Sequence, residues 1–474
     1  MGAVPPPPPA TLAQLRTSGW RPSSVKDELR RNAMARIEAG RPLFDGLLGY
    51  DETVLPQLEN ALLAGHDVIF LGERGQGKTR MIRSLVGLLD EWLPIVAGSE
   101  VNDDPFAPVS RHARDLLARH SDDTPIEWVH RDRRFGEKLA TPDTSIADLI
   151  GEVDPIKVAE GRYLADESTL HFGLVPRTNR GIFAINELPD LAERIQVGLL
   201  NVLEERDVQV RGYKVRLPLD VVLVASANPE DYTNRGRIIT PLKDRFGAQI
   251  RTHYPLDVGT EMAIADQEAR PPALDGRRPV TVPDELAEVV ATVSHLARSS
   301  PHVNQRSGVS VRLTVANRET MVANATRRAL RLGEEEVVPR VSDLDALVAS
   351  TAGKIEIETL DEGRDDAVVA GLFSAAVLGV FRRRVPGDTI AGLVAAFDDG
   401  RVVHTGDELP SSDYVELVAS LPELRAAVTA LAGALDSPAA VASAVEFLLE
   451  GLHLSKRLNK DVATDGRAVY RSRR

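Results

Sequence analysis

The sequence predicts an α/β protein: a parallel sheet wrapped in helices through the first half, then helices alone. Three observations carry this. A glycine-rich turn, GERGQGKT (72–79), sits between the apolar run DVIFL (67–71) and the helically spaced TRMIRSLVGLLDEWL. Further short apolar runs, IEWVH (126–130), IFAI (182–185), VVLVAS (221–226) and AQIRTHY (248–254), are separated by helical stretches. Such alternation implies parallel strands covered on both faces. After about residue 257 the strand signals largely disappear. At 474 residues the chain is too long for one core, and about two to four domains are expected.

The elements follow in order. Prolines 5–9 form a polyproline stretch that needs no packed partner, either a docking peptide or a plain disordered tail. Residues 11–40 are helical in pattern and highly charged. The amino-terminal stretch has neither a basic region nor an apolar core, so it does not read as a signal peptide. Pro6 stands where myristoylation after Gly2 would want Ser or Thr. Helical patterns cover 259–270, 283–300, 311–332, 341–351 and 362–384. The longest apolar run, AVVAGLFSAAVLGVF (367–381), is too short to span a bilayer and reads as a buried helix. Residues 386–412 look like a linker, 413–460 like a final helical region, and YRSRR like a basic tail.

Composition narrows the function classes. The chain is 43% hydrophobic and 27% charged, as in soluble globular proteins. Its net charge of −13 argues against a dedicated nucleic-acid binder. With no cysteine, thiol and zinc–cysteine chemistry are excluded, and a cytoplasmic home fits.

GERGQGKT matches G-x-x-x-x-G-K-[ST] at a strand-to-helix junction. Gly72, Gly75 and Gly77 allow the tight turn, and with Glu73, Arg74 and Gln76 they form a loop whose amides face phosphates. Lys78 adds a point charge, Thr79 offers its hydroxyl to Mg²⁺, and the helix N-terminus adds its dipole. The chain is therefore expected to bind a nucleoside triphosphate. Downstream, VVLVAS leads into Asn228, placed at a strand end to hold water, or merely to cap that end. LKDRFG (242–247) supplies Arg245, better placed for a neighbouring subunit's nucleotide than for its own.

The ordered set GxxxxGKT, NE (186–187), NPE (228–230) and PLKDRFG (241–247) resembles the AAA+ ATPases of the helix-2-insert group. It is most similar to the ATPase (I) subunit of magnesium chelatase, then to MoxR-type ATPases. VNDDP (101–105), ATPDTSIADLIGEVD (140–154), FGLVPRTNRGIFAINE (172–187) and VQVRGYKVRLP (208–218) agree, and the resemblance covers roughly 44–350. It implies a sheet of strand order 5-1-4-3-2 and four segments: an extension (1–43), an ATPase domain with insert and hairpin (44–257), an α-helical lid (258–355) and a C-terminal helical extension (356–474). It also implies roles. Lys78 and Thr79 are Walker A. Asn186 and Glu187 are Walker B, with Asn186 reaching Mg²⁺ through water and Glu187 polarising the attacking water. Asn228 is sensor 1, Arg245 the finger acting in trans, and Arg312 sensor 2 or an ordinary lid salt-bridge former. Gly49, in FDGLLGYDE (44–52), lies beside the adenine.

Asn186 departs from the Asp the family has there. Asn keeps an acceptor oxygen and loses the charge, so metal affinity should fall, by roughly 10–100-fold if the group is one step removed from the ion. Glu187 is intact, which leaves a slow ATPase or a nucleotide-gated scaffold open. The resemblance further implies ATP and Mg²⁺ as cofactors and a homo-oligomeric ring, with hexamers the size the family leads one to expect, in which the site is completed in trans; no membrane partner is expected. It also implies a separate protein with a von Willebrand factor A domain, since no D-x-S-x-S motif occurs here. Arg211, Tyr213, Lys214 and Arg216, on the hairpin, would carry motion to that partner or form a solvated surface. A sigma-54-type activator is a further alternative, opposed by the lack of a GAFTGA loop.

Overall fold

The computed structural model describes residues 8–153, 169–204, 207–209, 216–228, 236–272, 278–305, 307–358, 365–397, 400–433, 435–462 and 467–473. The chain divides into two compact units, Met1–His253 and Tyr254–Arg474.

The first unit is built on five parallel strands: β1 (Val68–Leu71), β2 (Phe135–Leu139), β3 (Gly181–Asn186), β4 (Val221–Ala227) and β5 (Ala248–Arg251). They lie in the order 5-1-4-3-2. Successive side chains point to opposite faces, which divides the strands between two cores. Val68, Phe70, Ile182, Ala184, Val222 and Val224 enter one, with helices α1 (Val25–Glu38), α2 (Val54–Ala64) and α3 (Lys78–Ser84). Ile69, Phe183, Ile185, Leu223 and Ala225 enter the other, with α4 (Glu193–Glu204) and Leu242 of α5 (Thr240–Arg245).

Two features differ from the sequence reading. IEWVH does form a strand, but it pairs antiparallel with Trp92–Val96, outside the parallel sheet. The sheet's edge is instead FGEKL, which among the described residues has no partner strand on its outer side and carries polar residues, so no apolar run advertises it. Residues 8–43 also pack into this unit. Ser24 caps α1, and Glu28 on α1 makes a buried, two-pronged ion pair with Arg134 at 2.8 and 2.6 Å. The Trp128 indole donates to the Pro9 carbonyl, and the Ile126 amide to that of Ala10.

In the second unit, α6 (Val258–Glu268), α7 (Asp284–Ser299), α8 (Arg312–Leu332), α9 (Asp365–Arg384) and α10 (Pro438–Leu454) dominate. Residues on either side of position 355 share one core: Leu286, Val290 and Leu313 with Phe373, Val377, Phe381, Phe447 and Leu448. As read from the sequence, 367–381 is helical, and Val369, Leu372, Phe373, Ala376, Val377, Val380 and Phe381 are buried. No described helix is long and apolar enough to cross a membrane.

The linker and tail are corrected. Residues 386–412 contain a helix, Gly387–Ala395, and strand β6 (Val402–Thr405); the tail is strand β8 (Ala468–Ser472), flanked by β6 and β7 (Leu458–Val462). The tail is recruited by Tyr470, which is buried and donates to Glu450 of α10. One aromatic anchor outweighs the arginines that made the segment read as solvated.

Glu261 of α6 is fully buried and is held by Arg298 at 2.6 and 2.9 Å and by the Thr314 hydroxyl. Burial works to raise its pKa, but His295, Arg298 and Thr314 together hold it below the usual carboxylate value. A carboxylate with a depressed folded-state pKa contributes stability above its unfolded value, near 4.3, and loses it as pH falls through the folded one. In acid titration, the stability advantage of the wild type over Glu261→Gln should therefore begin to shrink as pH falls below about 4.3 and vanish only below the lower folded-state value. At neutral pH, Arg298→Ala should destabilise the fold by about 3–5 kcal/mol in chemical denaturation, because a buried charge loses its main partner.

Candidate functional site

Parallel pairing aligns the carboxyl ends of the strands, the edge at which open α/β sheets bind ligands. Leu71 of β1 pairs with Ala227 of β4, and Ile185 of β3 with Ala225. The chain therefore leaves β1 into GERGQGKT beside Asn228, and Asn186 and Glu187 end the next strand over.

The loop takes the shape its glycines permit. Gly75 and Gly77 have φ of 74° and 72°, a region that side chains with a Cβ enter at a cost. A Cβ on Gly72 would lie 1.9 Å from Thr252 Oγ1 and 2.2 Å from Gln76 Oε1, which are themselves bonded at 2.6 Å. Gln76 Oε1 also accepts from the Glu73 amide. Tyr50, next to Gly49, donates its buried hydroxyl towards the carbonyls of Gln76 (2.6 Å) and His253 (2.8 Å). Burial pushes its phenol pKa well up, which keeps the proton in place for this tie. Thr79 and Arg74 are exposed at the loop's surface.

Lys78 is buried. Its ammonium donates to the carbonyls of Gly72 and Glu73 and, at 2.6 Å, to Asn228 Oδ1. Asn228 then donates from Nδ2 to Glu187 Oε2 at 2.8 Å. One side-chain amide thus joins the loop lysine to the strand-end carboxylate. Glu187 itself sits at φ 55°, ψ 49°, left-handed backbone that is uncommon outside glycine. Its amide donates to Ser226 Oγ, Ser226 Oγ donates to Asn186 Oδ1, and Asn186 Nδ2 donates to Glu137 Oε1 at 2.6 Å.

The sequence-predicted residues divide accordingly. Gly72–Thr79, Asn186, Glu187 and Asn228 come together, with Gly49 (φ 78°) one residue from Tyr50's tie. Arg245 ends α5, half-buried, with its guanidinium donating to the Pro241 carbonyl. Arg312 opens α8 in the second unit and is exposed. Arg211, Tyr213, Lys214 and the PE of NPE lie outside the described residues, as does 154–168 of the insert; Arg216 begins a short strand paired with Asp207–Gln209. Sequence reasoning missed Tyr50, Ser226, Thr252 and Glu137. Ser226 was legible as the same-face neighbour of Asn228 two positions back; Glu137 and Thr252 carried no local signal.

The alignment of loop, Asn228 and Glu187 on a 5-1-4-3-2 sheet decides the fold type. The first unit has the AAA+ fold. Residues 158–245 match the Sigma-54 interaction domain family, a span running from the insert through β3 and β4 to Arg245. The chain is similar to magnesium-chelatase subunit ChlI-2, chloroplastic, of Arabidopsis thaliana (29% identical, 49% of this chain and 54% of that protein). It is equally similar to the magnesium-chelatase 38 kDa subunit of Cereibacter sphaeroides (29%, 47% and 61%). The chain thus spans little more than half the length of these curated relatives. A solved complex between subunits BchI and BchD of magnesium chelatase aligns over 65% of this chain and 95% of the matched chain, at 20% identity and a TM-score of 0.34.

Tyr50 clamps the AAA+ unit's loop to the end of β5, so Tyr50→Phe should destabilise the fold by about 1–3 kcal/mol by leaving two carbonyls short of a donor. Thermal unfolding of the two proteins measures this.

Proposed function

We propose that this chain is an ATP-binding, ATP-hydrolysing ring motor of the magnesium-chelatase and MoxR type, which remodels or metallates a partner complex. The observation that carries the reading is the Lys78–Asn228–Glu187 relay at the mouth of the phosphate loop. Triphosphate entering the loop competes for Lys78, which then exchanges two backbone carbonyls and Asn228 for phosphate oxygens. Asn228 is released on its oxygen side while its nitrogen still holds Glu187. That pairing turns the carboxylate into an oriented base for a water held by the Asn228 amide.

The donor set fits Mg²⁺, a hard cation that prefers oxygen, keeps much of its water, and needs few protein ligands beside the phosphates. Thr79 Oγ1 would hold it directly and Asn186 Oδ1 through water. When bound, the ion neutralises charge between the terminal phosphates. Gly49 lies beside the adenine in this reading. Arg245 serves the neighbouring subunit's nucleotide and Arg312 the same subunit's, so the site is complete only in a closed ring, a hexamer by the resemblance to the magnesium-chelatase ATPase subunits. Similarity to magnesium-chelatase subunits supports this assembly and a partner carrying a von Willebrand factor A domain.

A second reading, an assembly platform that binds ATP without cleaving it, is favoured by Asn186, which removes a carboxylate from the metal side of the site. Phosphate release separates the two. Glu187→Gln should lower the rate by about 10²–10⁴-fold if the carboxylate acts as base; equal background rates in wild type and variant would leave only the platform. Mixing Arg245→Ala with Lys78→Ala subunits should restore part of the activity, because some interfaces then pair two intact halves. Co-assembly without restoration would contradict the trans finger.

A further inference from the structure

Asn186 is set between an acceptor and a donor that leave it one orientation. On one side Glu137 Oε1 lies 2.6 Å from Nδ2, and a carboxylate can only accept, so the NH₂ group must face it. On the other, Ser226 Oγ donates to Oδ1. Glu137 stands on β2, the strand paired with β3, and its second oxygen accepts from Arg83 Nε of α3 at 2.9 Å. The carboxylate therefore bridges the phosphate-loop helix and the Walker B strand.

We propose that Glu137 carries the negative charge that position 186 lacks, and acts through the Asn186 amide as a positioning residue for the nucleotide-bound divalent cation. This rests on the reading of the site as an Mg²⁺–nucleotide site. A carboxylate hydrogen-bonded behind a ligand fixes the ligand's orientation and makes its oxygen a better acceptor. The same contact accounts for asparagine at 186. Aspartate there would set two carboxylates, both acceptors of like charge, at hydrogen-bond distance, and the contact with Glu137 would be lost. Asn186 with Glu137 thus holds the same total charge as aspartate beside a neutral neighbour, displaced by one strand.

The test is binding of a fluorescent ATP analogue to the full chain, in chelator and across an MgCl₂ titration. Glu137→Gln should leave the metal-free affinity unchanged and raise the Mg²⁺ concentration for half-maximal enhancement by about 10–100-fold. The unchanged metal-free affinity shows that the site is still folded. Adding Asn186→Asp to Glu137→Gln should restore the wild-type Mg²⁺ dependence, whereas Asn186→Asp alone should give no gain. A wild-type Mg²⁺ dependence in Glu137→Gln, or a double variant no better than the single, would overturn the proposal and leave the nucleotide site standing. A wild type that binds no analogue at all would overturn both.

Discussion

The contact that ties the phosphate loop to the end of β3 is the Asn228 side-chain amide. Its oxygen accepts from Lys78 and its nitrogen donates to Glu187, so one planar group fixes the spacing between the phosphate loop and the strand-end carboxylate. The amide reaches both because β4 lies between β1 and β3, and that order arises from crossovers that place the fourth strand in the middle of the sheet. Sheet topology thus sets a distance of a few ångströms between charged groups far apart in sequence.

The second unit is held together by a different device. Arg340, fully buried, donates to Glu334, to the Leu409 carbonyl and to Ser411, and its guanidinium lies 4.9 Å from the Tyr414 ring centre. Arg328 pairs with Asp343 at 2.9 Å, and Glu446 of α10 accepts from Tyr414 and from the Ser342 amide. Buried ions depend on such partners, since removing one strands the other in a medium that cannot solvate it. These bonds fasten residues 334–343 to 409–446. The region beyond residue 355 is therefore part of the same core as the helices before it, and its helices cannot be detached without exposing apolar faces and unpaired charge.

Much of this was legible in the sequence because it is local. GERGQGKT announces its own turn, and β1, β3 and β4 are central strands whose runs are apolar on both faces. The strand order came from resemblance, and the coordinates agree with it. What stayed hidden is long-range or lies at edges. β2 is an edge strand with a polar face, so FGEKL read as nothing in particular while the more apolar IEWVH drew attention. The Glu137–Asn186 contact joins residues 49 positions apart, and no pattern within either segment points to the other. Tyr470 likewise recruits an arginine-rich tail through one buried ring. Arg312 falls in the helical pattern read over 311–332, whereas the short helix that ends at Arg245 carried no periodic signal.

Glu187 occupies a left-handed backbone conformation. For a residue with a Cβ that setting costs about 1–2 kcal/mol relative to ordinary right-handed geometry, and glycine would adopt it freely. With glutamate there, the scaffold bears a permanent local penalty at the same peptide unit whose carboxylate meets Asn228.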